Sequence, residues 1–361
     1  MILSNLLAQG ESVAIYEPPK SGKMSLIQQT LFNMRLTGKQ FYVGQFSLLN
    51  IRTITDFLLR YGSTAMRTVA TTPAEYAEIA DKYLKDTHFV FDQVQYEEKD
   101  EILSTSWTTD DNDMEAILKL PWELAAEHGQ SLIMILDEFQ NISLTEDGDK
   151  VCKTMSRIIS EMKSVGGPAM SLIFNGSMVN AMKEIFERKR LFYRQVEHLE
   201  LHPANEKEIV EHVVKGFLAG GKVVERELLK GMCVLFKNHL WYINHFVNIC
   251  DYLSKGYIVE ATFMEALGAL ISIHEPRFMS IMNSLTTYQV SFLKAVLDGV
   301  TKFSAQDVIT NYQLNSSANV KRVRDALIKK EVITFDAKDE PIVLDPLFEY
   351  WVRKYYFEMD K

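Results

Sequence analysis

Long apolar runs are absent from this sequence. The longest, Ser131-Leu132-Ile133-Met134-Ile135-Leu136, falls far short of the roughly 18 residues that a membrane-spanning helix needs. Cysteine is scarce. Cys152, Cys233 and Cys250 are odd in number, scattered and without metal-ligand spacing, which excludes a disulfide framework and points to reduced thiols in a cytoplasm. Positive charge is in deficit, with 39 Lys+Arg against 48 Asp+Glu and a net charge of −9. A protein that coats nucleic acid with its whole surface is thereby excluded. The opening Met-Ile-Leu-Ser-Asn-Leu-Leu has neither a basic region nor a long apolar stretch, so a signal peptide is not expected. Internal repeats and low-complexity segments are also lacking.

What remains is an ordinary globular composition, 47% hydrophobic and 24% charged over 361 residues. That length suits two or three domains. Over residues 1–200, apolar strand-like runs alternate with helical stretches, the pattern of a mostly parallel α/β sheet. Val13-Ala14-Ile15-Tyr16 is the first strand, Ser25–Arg35 a helix, and Phe41–Phe46 a second strand. Thr53–Tyr61 and Thr72–Asp86 read as helices. His88–Gln95 alternates like a strand and pairs with Ile102–Trp107, either as a hairpin insertion or as a neighbouring core strand. The cluster at Asp110–Asp113 caps a helix that runs to His128. Leu132–Leu136 and Ser171–Phe174 read as fully buried strands. From Asn205 to Arg277 only helical periodicity is expected, broken at Gly220-Gly221. From Thr286 onward come three short helices, two strands around Ile333 and Ile342, and a final aromatic helix. The predicted domains are 1–200, 201–284 and 285–361.

The chemistry concentrates at strand ends. Glu17-Pro18-Pro19-Lys20-Ser21-Gly22-Lys23-Met24 lies between a strand and a helix. A phosphate loop in that place needs backbone N–H groups around the phosphates, a glycine for close approach and a lysine for the outer phosphates. Pro19, Lys20, Ser21, Gly22, Lys23, Met24 and Ser25 are the candidate nucleotide-binding residues. Glu17 stands where the G-x-x-x-x-G-K-[ST] pattern has its first glycine, and Met24 where it has the Mg²⁺-binding hydroxyl. Ser25 is displaced from that position by about 100° of helix rotation. The alternative is a Pro-Gly turn before a surface helix.

The strand Leu132–Leu136 runs into Asp137-Glu138. An apolar strand ending in two carboxylates can hold Mg²⁺ with the aspartate and orient an attacking water with the glutamate. After the next strand, Asn175 is a candidate γ-phosphate sensor, or else part of a tight Asn-Gly turn. Arg188, Lys189, Arg190 and Arg194 follow. They reach a phosphate in cis or in a neighbouring subunit, or form a solvated helix end.

These segments resemble the archaeal ATPase family, a branch of the AAA-type and signal-transducing P-loop NTPases that is also common in Bacteroidetes bacteria. The resemblance is carried by Ile15–Lys23, Ile135–Asn141, Phe174–Ser177, Phe192–Arg194, His239–Tyr242 and the stretch from Leu314 to Phe348. It implies a P-loop NTPase parallel sheet followed by a helical lid subdomain and a winged-helix domain. It also implies ATP as ligand, Lys23 on phosphate, Asp137 as the metal ligand and Glu138 as catalytic base. Family members carry an acidic Arg-Glu box before the first strand, whereas this chain opens almost at the strand. Met24 and Glu17 depart from the family pattern, which argues against Mg²⁺ use and fast hydrolysis.

In the C-terminal unit, Ser304–Tyr312 and Ser316–Lys330 form a helix-turn-helix, with Ile333–Phe335 and Ile342–Leu344 as its wing. Lys321, Arg322, Arg324, Lys329 and Lys330 stand on the outer side of the second helix. DNA contact through 316–330 competes with a protein-contact or lid role. Residues 285–361 hold 11 Lys+Arg and 11 Asp+Glu, a net of 11 − 11 = 0, whereas dedicated DNA binders are usually basic. Trp241, Tyr242 and His245 are expected in the core, with approach to a nucleotide as the alternative, and Tyr350, Trp351, Tyr355, Tyr356 and Phe357 in the core or packed against the ATPase body. The expected function is ATP binding with weak or absent hydrolysis, switching the winged helix. The alternatives are an active ATPase acting on DNA or a partner complex, and a nucleotide-free scaffold.

Overall fold

The computed structural model describes residues 2–105 and 107–359. The chain divides into two units. The first comprises residues up to Pro19 and Lys23–Leu201, and the second Lys20–Gly22 and His202 to the C-terminus.

The first unit is built on a five-stranded sheet. Its strands are β1 (Ser12–Tyr16), β2 (Phe41–Ser47), β5 (Ser131–Asp137), β6 (Met170–Gly176) and β7 (Val196–His198), ordered β2-β5-β6-β1-β7. All four pairings are parallel. Because β1, β5 and β6 are covered on both faces, each reads as an almost unbroken apolar run in the sequence. Register puts the functional strand ends level: Tyr16 pairs with Gly176, Leu136 with Phe174, and Ser47 with Asp137. Ligands of open parallel sheets bind beyond such carboxyl ends. The helix Lys23–Leu36 buries Ile27, Leu31 and Met34 against Val13 and Ile15 of β1 and Ile133 and Ile135 of β5.

Between β2 and β5 lies an excursion from the sheet. β3 (Val90–Phe91) and β4 (Leu103–Ser104) pair antiparallel, so the segment is a hairpin insertion and not a core strand. The strand expected over His88–Gln95 is only two residues long. Asp92 accepts hydrogen bonds from the backbone N–H groups of Val94 and Gln95 and caps a helix over Gln93–Lys99. This local cap overrides the alternating pattern. Of the expected partner strand Ile102–Trp107, Leu103 and Ser104 are extended, while Ser106 lies outside the described residues. The Asp110 cluster caps as expected. Asp110 and Asp113 form a capping box for the helix Asp111–His128. Asp113, fully buried, also accepts from the His88 backbone (2.7 Å) and ring (2.9 Å).

The second unit has helices Glu206–Ala219, Arg226–Leu235, Leu240–Leu253 and Glu260–Asn283. It is not purely helical: β8 (Val223–Val224) and β9 (Tyr257–Ile258) pair in parallel. Two-residue strands leave too short a pattern to read in sequence. The helices Thr287–Leu297, Gln306–Asn311 and Ser317–Lys329 follow, the last capped by Ser316. β10 (Ile333–Phe335) and β11 (Pro341–Val343) form the antiparallel wing. One hydrophobic core runs from Ile209 to Val352, so the helical part and the winged helix share an interior. Asp345 reinforces the junction. Its carboxylate accepts from Tyr242 (2.9 Å) and Arg277 (2.5 Å) and caps the helix Pro346–Trp351. Trp351 is core, whereas Tyr355 and Tyr356 are exposed. Tyr242 is buried, with Trp241 and His245 packed beside it. Among the described residues no helix is long and apolar enough to cross a membrane.

Candidate functional site

In the first unit, the end of β1, the start of the following helix and the ends of β5 and β6 bring four of the expected residues to one edge of the sheet. Lys23 opens its helix and is only 6% exposed. Its ammonium donates to the carbonyls of Glu17 (2.7 Å) and Pro18 (3.0 Å). Burial pulls its pKa down, while Glu138, Glu17 and Asp137 act in the opposite direction. The lysine is thus folded onto its own loop, in the field of three carboxylates.

The carboxylates are held by neighbours. Asp137 Oδ1 accepts from Asn175 Nδ2 (2.5 Å) and from the Glu138 backbone (3.1 Å). Burial raises the Asp137 pKa, and the adjacent Glu138 adds to the rise. Glu138 has left-handed backbone, φ 53°. Its Oε2 accepts from Ser177 Oγ (2.6 Å) and from Gln140 Nε2. Both donors use the same oxygen. Asn175 and Gln140 are 2% and 4% exposed. Each points its amide N–H at a carboxylate, so each leaves a buried carbonyl oxygen, Oδ1 and Oε1, without a hydrogen bond. Between Asn175 and Ser177, Gly176 permits a tight approach. A Cβ there would lie 2.5 Å from Met182 Cγ and 2.8 Å from Gln140 Oε1.

Asn175 and Gly176 are the last two residues of β6, so they form no Asn-Gly turn. Asn175 reaches Asp137 directly. Gln140 and Ser177 were not singled out from the sequence, although both lie within three residues of Asp137 or Asn175. Of the loop residues, Lys23, Met24 and Ser25 begin the helix and Pro19 ends the first segment of this unit. Lys20, Ser21 and Gly22 group with the second unit, where the Lys20 ammonium lies 3.4 Å from the centroid of the Trp241 ring.

The basic run divides. Lys189 pairs with Asp149 (2.8 Å) and Arg188 with Glu184 (3.4 Å). Arg190 and Arg194, both with left-handed backbone, lean on the ring of exposed Tyr193. In the winged helix, Arg324 is engaged by Asp339 and stacks on Phe335, Lys330 donates to the Ser284 carbonyl (2.9 Å), and Arg322 donates to Asn319 (3.1 Å). Three of the five cations counted for DNA contact are therefore used internally.

The groups at the strand ends suit a nucleotide. A buried ammonium that donates to the Glu17 and Pro18 carbonyls can exchange them for phosphate oxygens. A divalent cation would find one hard ligand, Asp137, while Met24, which stands where a hydroxyl would serve, packs against the apolar core. Mg²⁺ is commonly held by one or two carboxylates together with substrate phosphates, so Asp137 alone is a sufficient protein anchor, but a weak one.

Comparison with known proteins agrees with this architecture. A family model described as a probable winged helix domain matches residues 276–354. No curated protein matches the chain. Among solved structures, the chain is similar to a Walker-type ATPase of Pyrococcus abyssi, at 13% identity and TM-score 0.63, over 97% of this chain and 94% of that one. It is also similar to the ORC2 protein of Aeropyrum pernix. In the ADPNP–ADP complexes the identity is 13% and the TM-score 0.57, over 100% and 93% of the two chains. In the ADP form the values are 13% and 0.54, over 99% and 92%. At such identity the likeness speaks for the fold: an α/β P-loop NTPase sheet with a C-terminal winged helix.

Proposed function

We propose that this chain binds ATP at the loop Glu17–Ser25 and serves as a nucleotide-responsive switch with slow or absent hydrolysis. The observation that carries this reading is buried Lys23 within electrostatic range of Asp137 and Glu138, with Asp137 held by Asn175 and Glu138 by Ser177 at the end of β6. The solved structures of similar fold include a Walker-type ATPase and a protein complexed with ADPNP and ADP, which supports an adenine nucleotide as the ligand.

The geometry supports the following roles. Lys23 takes phosphate, with the backbone of Pro19 to Ser25 around it. Asp137 anchors Mg²⁺, which would supply charge neutralisation at the phosphates. Asn175 holds Asp137 in place. Glu138, its Oε2 committed to Ser177 and Gln140, offers Oε1 to a water. Met24 supplies no hard oxygen, and Glu17 adds negative charge at the head of the loop. Phosphoryl transfer depends on offsetting charge, so both departures slow the chemistry more than the binding. Residues 1–200 would form the nucleotide-binding domain, 201–284 a lid, and 285–361 the winged-helix output. Because the last two share one core, the output moves with the lid as a body. Its partner is a protein surface in preference to DNA, since Arg322, Arg324 and Lys330 are internally engaged. A cytoplasmic location fits the free, buried cysteines.

The test is calorimetry with ATP, with and without Mg²⁺, beside a steady-state hydrolysis assay. We expect ATP binding that Lys23→Ala abolishes, and turnover below about 1 per second, the low end of ordinary enzymes. Absence of any nucleotide binding would reject the reading. Turnover of several per second would favour the active ATPase.

A further inference from the structure

The head of the loop carries a charge that neither the fold nor a phosphate requires. Glu17 follows β1 directly and is partly buried. Its carboxylate accepts a hydrogen bond from the backbone of Leu201, and Glu200, Lys23 and Lys183 lie within electrostatic range. The preceding residue, Tyr16, donates to Glu187 (2.7 Å) and stacks on His198 with ring centroids 4.1 Å apart. Glu17 is thus fixed in place, tied to a segment 184 residues away (201 − 17). Burial raises its carboxyl pKa, and Glu200 adds to the rise.

The charge count at the loop is unusual for a phosphate site. Lys23 lies within electrostatic range of Glu17, Asp137 and Glu138, and Glu17 within range of Glu200 and Lys183 as well. Without a divalent ion these two cations and four carboxylates sum to 2 − 4 = −2. Every added phosphate charge meets that field, and Met24 weakens the protein's hold on the ion that would offset it.

We propose that Glu17 sets the charge class of the nucleotide, making the loop favour a nucleoside diphosphate over the triphosphate. This rests on the reading that the loop binds a nucleotide at all. The carboxylate repels the terminal phosphate. A diphosphate carries one unit of charge less and loses less to that repulsion.

The experiment is calorimetric titration of the full chain and of Glu17→Gln with ADP and ATP, each with and without Mg²⁺. Glutamine keeps the acceptor for Leu201 and removes only the charge. The wild type is expected to bind ADP more tightly than ATP. In E17Q the ATP affinity should rise about tenfold, the scale on which a neighbouring unit charge shifts an ionic equilibrium, and the ADP affinity should rise less. Glu17→Gly, which restores the loop's usual first glycine, should act in the same direction and serves if E17Q fails to fold, which melting curves report. If the ratio of ATP to ADP affinity is the same in wild type and variants, Glu17 does not select charge and the proposal is overturned while nucleotide binding stands. If neither wild type nor variant binds either nucleotide, the nucleotide reading falls and this proposal with it.

Discussion

The two halves of the proposed site differ. At the ends of β5 and β6 the polar chemistry is complete: Asp137 is held by Asn175, and Glu138 by Ser177 and Gln140. At the loop, Lys23 is present but bonded to its own backbone, with a carboxylate before it and a thioether after it. On the proposed reading, one half would handle a phosphate and a water, while the other weakens the charge balance that fast transfer needs. That reading puts the limit on turnover in the loop and not in the acidic pair.

Variants can break this comparison in order of expected effect. Lys23→Ala should weaken ATP binding by about 100-fold or more, since truncating a buried hydrogen-bonded charge costs several kcal/mol. A calorimetric titration gives the value, and near-normal affinity would remove Lys23 from the site. Met24→Thr should raise Mg²⁺-dependent hydrolysis by about tenfold, as one more hard ligand and donor commonly contributes 1.5–3 kcal/mol. A phosphate-release assay reads it, and no gain would shift the limit to Glu17. Gly176→Ala should destabilise the first unit by about 1–3 kcal/mol through overpacking against Met182 and Gln140, seen as a lower denaturant midpoint. Lys321→Ala, on the exposed face of the winged helix, should change stability by less than about 0.5 kcal/mol and leave nucleotide binding untouched.

Sequence made the apolar half of this structure legible. β1, β5 and β6 are buried on both faces, and so their residues are almost all apolar; the acids and amides at their ends then mark the sheet edge. The winged helix was equally readable from Ser316 and the spacing of Val320, Val323 and Leu327, all three buried. The three-residue edge strand β7, with Glu197 and His198 exposed, was not. The segment after His88 misled because its alternation fits a strand, while Asp92 with Gln95 three residues later was the overlooked signal of a helix start. Ser177 and Gln140 escaped because their role depends on how the chain turns after each strand. The tie from Glu17 to Leu201 spans most of the first unit, and no local pattern encodes it.

The central claim is that binding outlasts hydrolysis, and a single-turnover experiment tests it most directly. The protein in excess is mixed with labelled Mg·ATP, and bound ATP and ADP are followed in time. The account predicts that bound ATP persists long after binding is complete, and that Met24→Thr shortens its lifetime. Conversion to ADP as fast as binding in the unmodified protein would contradict it.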